Sequence, residues 1–136
     1  MRDRYYLCSK DIGDGPYLLG ELTRDGDREY SFRYMIKGSK FPEWFMSIPG
    51  MENVDEVYGT EKVLDCIIHR VTPREGTTNA GILMRYNNVP VYDEWDLLES
   101  QMAAYDRCKK TKFPLSDSHE LFYFYSEIPR KVNRYD

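Results

Sequence analysis

The stretch Tyr58-Gly-Thr-Glu-Lys-Val-Leu-Asp-Cys-Ile-Ile-His-Arg-Val71 decides how the rest of the chain is read. Val63, Leu64, Ile67, Ile68 and Val71 recur at the three-and-four spacing of one helical face. Thr60 stands where a side-chain oxygen can cap the first turn, and Glu61 suits the positive end of the helix dipole. His69 and Arg70 fall in the last turn, where cations and donors are welcome, and Pro73 ends the run. The sequence therefore predicts one amphipathic helix flanked by aromatic segments that behave as strands.

Working back from the helix, Phe41-Pro-Glu-Trp-Phe-Met-Ser-Ile-Pro49 is a dense apolar segment between two prolines, expected to be extended. Gly50 to Asp55 reads as loop. Before it, Tyr30, Phe32 and Tyr34 alternate with Ser31 and Arg33, the period-two signature of a half-buried strand. Asp25-Gly26 marks a hairpin, and Tyr17 to Thr23 is the strand on its other side. Gly20 inside that strand indicates a bulge or a close backbone approach. Arg4 to Cys8 completes a three-stranded antiparallel meander.

Beyond the helix, Asn79 to Tyr86 fits a short helix or a strand, a cap at Thr78 or Asn79 favouring the helix and Gly81 opposing it, and Asn87-Asn-Val-Pro90 reads as a turn. Tyr92 to Met102 is a further helix, with Asp93, Glu94 and Asp96 in its first turns and Trp95, Leu98 and Met102 as its apolar stripe. Phe113 to Ser118 reads as loop, Leu121 to Tyr125 as a closing strand, and residues 130–136 as a polar tail. The expected fold class is α+β: a mostly antiparallel sheet, built from the meander plus a C-terminal strand, packed against two or three helices in one domain spanning residues 1–136.

The chain has 136 residues, 41% apolar and 15% aromatic, enough for one hydrophobic core and too apolar for a disordered chain. A net charge of −4 argues against a wholly basic nucleic-acid-binding surface. Cys8, Cys66 and Cys108 are widely spaced and odd in number, as expected of a reducing, cytoplasmic setting and not of a disulfide frame. The first residues lack the apolar run of a signal peptide, and no stretch is long enough to cross a bilayer.

The sequence offers no catalytic set. Asp65 and His69 are four apart on the helix, but a metal needs three or four converging ligands, so no metal or other cofactor is expected. His119 after Ser116-Asp117-Ser118 lacks the Gly-x-Ser-x-Gly context of a hydrolase. Asp11-Ile-Gly-Asp-Gly lacks the frame of a calcium loop. Two surfaces remain. Phe41, Trp44, Phe45 and Met46 cannot all face inward from an extended segment, so one side is expected either to meet a partner or to be covered by a neighbouring loop; Glu94, Asp96 and Glu99 could add an acidic face, although a merely solvated helix face has the same composition. Arg107, Lys109, Lys110 and Lys112, with Tyr105 for stacking, form a possible nucleic-acid contact, although cations at a helix C-terminus fit the same pattern.

Several landmarks form an order of their own: Tyr17-Leu-Leu-Gly-Glu-Leu22, Tyr30-Ser-Phe-Arg-Tyr34, Phe41-Pro42 with Phe45 and Ile48-Pro49, Val57 to Leu64, Arg70-Val-Thr-Pro73, Asp93-Glu-Trp-Asp-Leu-Leu98 and Ser116-Asp117. This order, over roughly residues 4 to 129, resembles the small N-terminal subdomain of HipA-type serine/threonine kinases, which also occurs as a separate HipS-type protein and in modules beside HIRAN domains. The kinase machinery is absent: there is no glycine-rich loop, no Val-Ala-x-Lys and no Asp-Phe-Gly, and His69-Arg70-Val71 has valine where the catalytic aspartate would stand. The glycines that often follow the Asp-x-Trp-x-Leu-Leu helix are replaced by Ser100-Gln-Met-Ala-Ala-Tyr105. The resemblance implies a non-catalytic regulatory module of the toxin–antitoxin kind that modulates a HipA-like kinase. Two other expectations stand beside it: a phage or mobile-element accessory protein that inhibits a host defence protein, and a nucleic-acid-binding module.

Overall fold

A computed structural model describes residues 3–9, 17–26, 28–35, 47–99, 112–116 and 119–125. Among these residues six strands form one sheet: β1 (Arg4–Ser9), β2 (Leu18–Arg24), β3 (Tyr30–Tyr34), β4 (Val57–Tyr58), β5 (Lys112–Ser116) and β6 (His119–Tyr125). The order is β4-β3-β2-β1-β6-β5, and every neighbouring pair is antiparallel. The fold is α+β with an antiparallel sheet, as the alternation in the sequence indicates.

Register explains which residues fill the core. Tyr5, Leu22, Phe32 and Tyr58 stand opposite one another across β1 to β4, and Phe124, Leu7, Gly20 and Tyr34 form the next row on the same face. Against them pack Val63, Ile67 and Ile68 from the first helix and Trp95 and Leu98 from the last, all in one buried cluster. Tyr6, Glu21 and Arg33, one residue out of phase, lie on the opposite face, where Arg33 and Arg4 flank the Glu21 carboxylate at 3.2 and 3.6 Å.

Gly20 serves both purposes its position suggests. Leu7 pairs with Gly20 but Cys8 with Leu18, so Leu19 is bulged out of the ladder. A Cβ on Gly20 would lie 2.5 Å from the Phe32 ring, so the ring packs directly on the glycine backbone.

The helix at residues 60–71 (α1) is not uniform. Thr60–Val63 is α-helical, Leu64–Ile68 is a π-turn and His69–Val71 is α-helical again. The wider turn buries Cys66, Ile67 and Ile68 in succession. Its N-cap is Gly59, not Thr60. The Thr60 hydroxyl instead accepts the Tyr30 N–H at 3.0 Å, because Tyr30 lies beyond the reach of the two-residue β4. Pro73 holds Thr72 extended and stops the helix, as expected. Thr78–Tyr86 is the second helix (α2), capped by Thr77. The third, α3, covers 94–99 among the described residues.

Two strands lie where the sequence reading had none. Val57–Tyr58 pairs with β3, too short to carry an alternating pattern. Lys112–Ser116, expected as loop from Phe113 onward, is the edge strand β5; Pro114 is tolerated there because an edge strand has only one side to satisfy, and the ladder shifts register beside it. The extended segment expected at 41–49 is described only from residue 47 onward.

Buried hydroxyl and thiol groups are held protonated. Burial pushes Tyr34, Tyr92 and the Cys8 thiol each up to about 12. The folded state thus binds these protons more tightly than the unfolded chain. Their contribution is complete below the unfolded values of 9.0 and 10.0 and is lost as pH rises towards about 12. The denaturation midpoint, followed by circular dichroism, should fall steadily across that window; a flat profile would contradict the assignment. Gly20→Ala should destabilise the fold by about 1–3 kcal/mol through overpacking against Phe32. A variant as stable as the parent in denaturant titration would show that the ring is free to move.

Candidate functional site

The site is built on α2. The Thr77 hydroxyl accepts the Ala80 N–H at 3.2 Å, starting the helix. The helix closes with a Schellman motif: Val89 N–H donates to the Met84 carbonyl at 2.8 Å and Asn88 N–H to that of Arg85. Asn88 adopts the left-handed conformation that this closure requires, with φ 56°, and Pro90 prevents continuation.

One flank of α2 faces inward. Ala80, Leu83 and Met84 pack with Tyr92 and Leu97 in a small cluster distinct from the main core. The other flank is apolar too, yet it faces solvent. Ile82 is 50% exposed and Tyr86 74%, one turn apart, and Val91 beyond the turn is 74% exposed. Beside them runs an open groove of about 580 Å³ lined by Gly81, Met84, Arg85, Asn88, Val89 and Pro90. Grouped exposed apolar side chains beside a groove mark contact surfaces, whereas single ones are unremarkable. Gly81 adds to the pattern. Among the described residues a Cβ there would meet nothing within 4 Å, so their packing does not need the glycine, although glycine costs a helix interior about 1 kcal/mol relative to alanine.

The floor of this site is held by charge. Asp93 caps α3: its Oδ1 accepts the N–H groups of Trp95 and Asp96 at 2.9 and 3.0 Å. The same atom pairs with Arg24 of β2 at 3.2 Å. Arg28, in the β2–β3 hairpin, grips both Glu94 oxygens at 2.8 and 3.1 Å, and the Tyr30 hydroxyl donates to the same carboxylate at 3.3 Å. The pairing with Glu94 raises the Arg28 pKa. Burial first, then the Glu94 charge, raises that of Tyr30. The Arg28 guanidinium also lies 5.8 Å from the Tyr92 ring centre, and the Tyr92 hydroxyl donates to the Pro73 carbonyl at 2.8 Å. Tyr92 is thereby fixed between the hairpin and the segment that enters α2.

Of the residues singled out in the sequence, Glu94 is only 7% exposed and its carboxylate points at Arg28 and Tyr30. Asp96 is half-buried, and burial followed by the neighbouring Asp93 raises its pKa. The Glu94 carboxylate therefore serves the interior. Phe41, Trp44, Phe45, Met46, Tyr105, Arg107, Lys109 and Lys110 lie outside the described residues; Lys112 begins β5. His69 keeps its Nδ1 buried with no hydrogen-bond partner, and burial, then Arg74, lowers its pKa. Among the described residues no group of three or more His, Cys, Asp or Glu is placed to hold a metal ion.

The α2 face escaped the sequence reading although its signal was present. Ala80, Ile82, Leu83, Met84 and Tyr86 are more apolar residues than one flank of a nine-residue helix can bury. What this surface offers is aliphatic and aromatic area with one cation, suited to binding by burial. Glu94→Ala should lower stability by about 1–3 kcal/mol, since it strands the Arg28 guanidinium and the Tyr30 hydroxyl. Chemical denaturation measures this, and a change within experimental error would show that the hairpin docks without the pair. No family model, curated protein or solved structure matches this chain.

Proposed function

We propose that this protein acts by binding another protein, as a non-catalytic regulatory module. The observation that carries the reading is the outward apolar flank of α2, where Ile82, Tyr86 and Val91 stand exposed beside a groove. Leaving such side chains in water forgoes about 25 cal/mol for every Å² of apolar surface that a partner could cover. The rigid mounting of Tyr92 beneath the helix favours a preformed surface, which lowers the ordering cost of association. The resemblance of the sequence landmarks to the HipA N-terminal subdomain supplies the partner class: a HipA-like serine/threonine kinase that this module modulates.

The test is co-purification of the full chain with a HipA-type kinase encoded in the same genome. The parent should retain the kinase at micromolar concentrations. The double variant Ile82→Glu, Tyr86→Glu should release it while unfolding within about 0.5 kcal/mol of the parent, because both side chains are exposed. Equal retention by parent and variant would remove α2 from the interface, and retention by neither would remove the kinase as partner.

A further inference from the structure

Three observations on α2 point to what its outer flank receives. The first is charge. From Thr77 to Val91 the chain carries one arginine and no aspartate or glutamate, although it contains 23 acidic residues and has a net charge of −4. Among the described residues Arg85, exposed, is the one charged residue lining the groove; Arg70, Arg74 and Glu75, also exposed, precede the helix and leave that approach net positive. The second is the spacing of Ile82 and Tyr86, four apart on one helix, which presents a ridge suited to the apolar stripe of a second helix. The third is Gly81. It lines the groove, lies next to the ridge and is not required by any packing among the described residues. A glycine that weakens its own helix without relieving a contact inside the fold leaves a notch through which another backbone can approach closely.

We propose that the flank of α2 formed by Gly81, Ile82, Arg85 and Tyr86, with the groove that reaches Pro90, is the seat of an amphipathic helix whose apolar stripe is bordered by carboxylates. The inference rests on the reading of this chain as a protein-binding module and narrows the partner's chemistry. The incoming apolar side chains lie against Ile82 and Tyr86 and enter the groove, its backbone passes Gly81, and its carboxylates meet Arg85. Because Arg85 is at the rim, its contribution is mainly to choice of partner and to the rate of encounter.

Two labelled synthetic peptides test this with the full chain, by fluorescence anisotropy at low salt. Both carry leucines at i, i+3, i+4 and i+7; one is bordered by glutamates and the other by lysines. The glutamate peptide should bind about fivefold more tightly than the lysine peptide, and Arg85→Glu should reverse the preference. Gly81→Ala should raise the melting temperature yet weaken the glutamate peptide at least about fivefold, a pairing of effects that a purely structural role for the glycine would not give. Equal binding of the two peptides, failure of the glutamate peptide to bind, or undiminished binding by Gly81→Ala would each overturn the proposal. So would an α2-dependent dimer of the protein alone, which would assign the flank to a second copy. Kinase retention that depends on Ile82 and Tyr86, combined with equal binding of the peptides, would sink this proposal and leave the broader one standing.

Discussion

Trp95 lies wholly buried between two tyrosines of the sheet, 5.1 Å from the Tyr5 ring and 5.6 Å from that of Tyr30. This stack fixes where α3 sits on the sheet. The adjoining Arg28–Glu94 and Arg24–Asp93 pairs fix its rotation, because the two acids precede and begin the helix while their partners lie on β2 and the following hairpin. Much else inherits that placement. Leu97 and Tyr92 are set by it, and on those two residues α2 rests. The outer flank of α2 is therefore positioned by a tryptophan and two ion pairs on the far side of the chain's own small second core.

Tyrosine is used throughout as a pin, which gives its abundance a physical reason. The Tyr34 hydroxyl accepts the Ile48 N–H and donates to the Met51 carbonyl, and the Tyr58 hydroxyl accepts from and donates to Asn53. Each ring fills the core while its polar tip satisfies backbone groups in the connection between β3 and β4. A phenylalanine in place of Tyr34 would pack as well but take this partner from the buried Ile48 N–H and Met51 carbonyl. The connection could then not be held so close to the core.

The parts of this architecture that repeat along the chain were legible in the sequence, and the parts set by contacts across it were not. Tyr30, Phe32 and Tyr34 announce β3 because a strand displays its burial pattern every second residue. Val63, Ile67 and Ile68 announce α1 in the same way, but the π-turn between Leu64 and Ile68 is invisible to a fixed helical period. Thr60 shows the limit most clearly. Its local setting suits a cap, yet its hydroxyl serves a strand thirty residues earlier. Glu94 has the composition of a solvated helix start and becomes internal only because Arg28 arrives from a distant hairpin. On the outer flank of α2 the excess of apolar residues was readable, while the groove beside it depends on the turn at Asn88 to Pro90.

The bond between Thr60 and Tyr30 has a consequence for solubility. β4 pairs only with Phe32 and Arg33, so the outer margin of β3 would otherwise offer bare peptide groups at Tyr30 to any passing chain. A hydroxyl from the start of α1 occupies that N–H instead. The sheet ends on this side in the two-residue β4 and the first residue of α1, so the template left for a stray polypeptide to stack on is short.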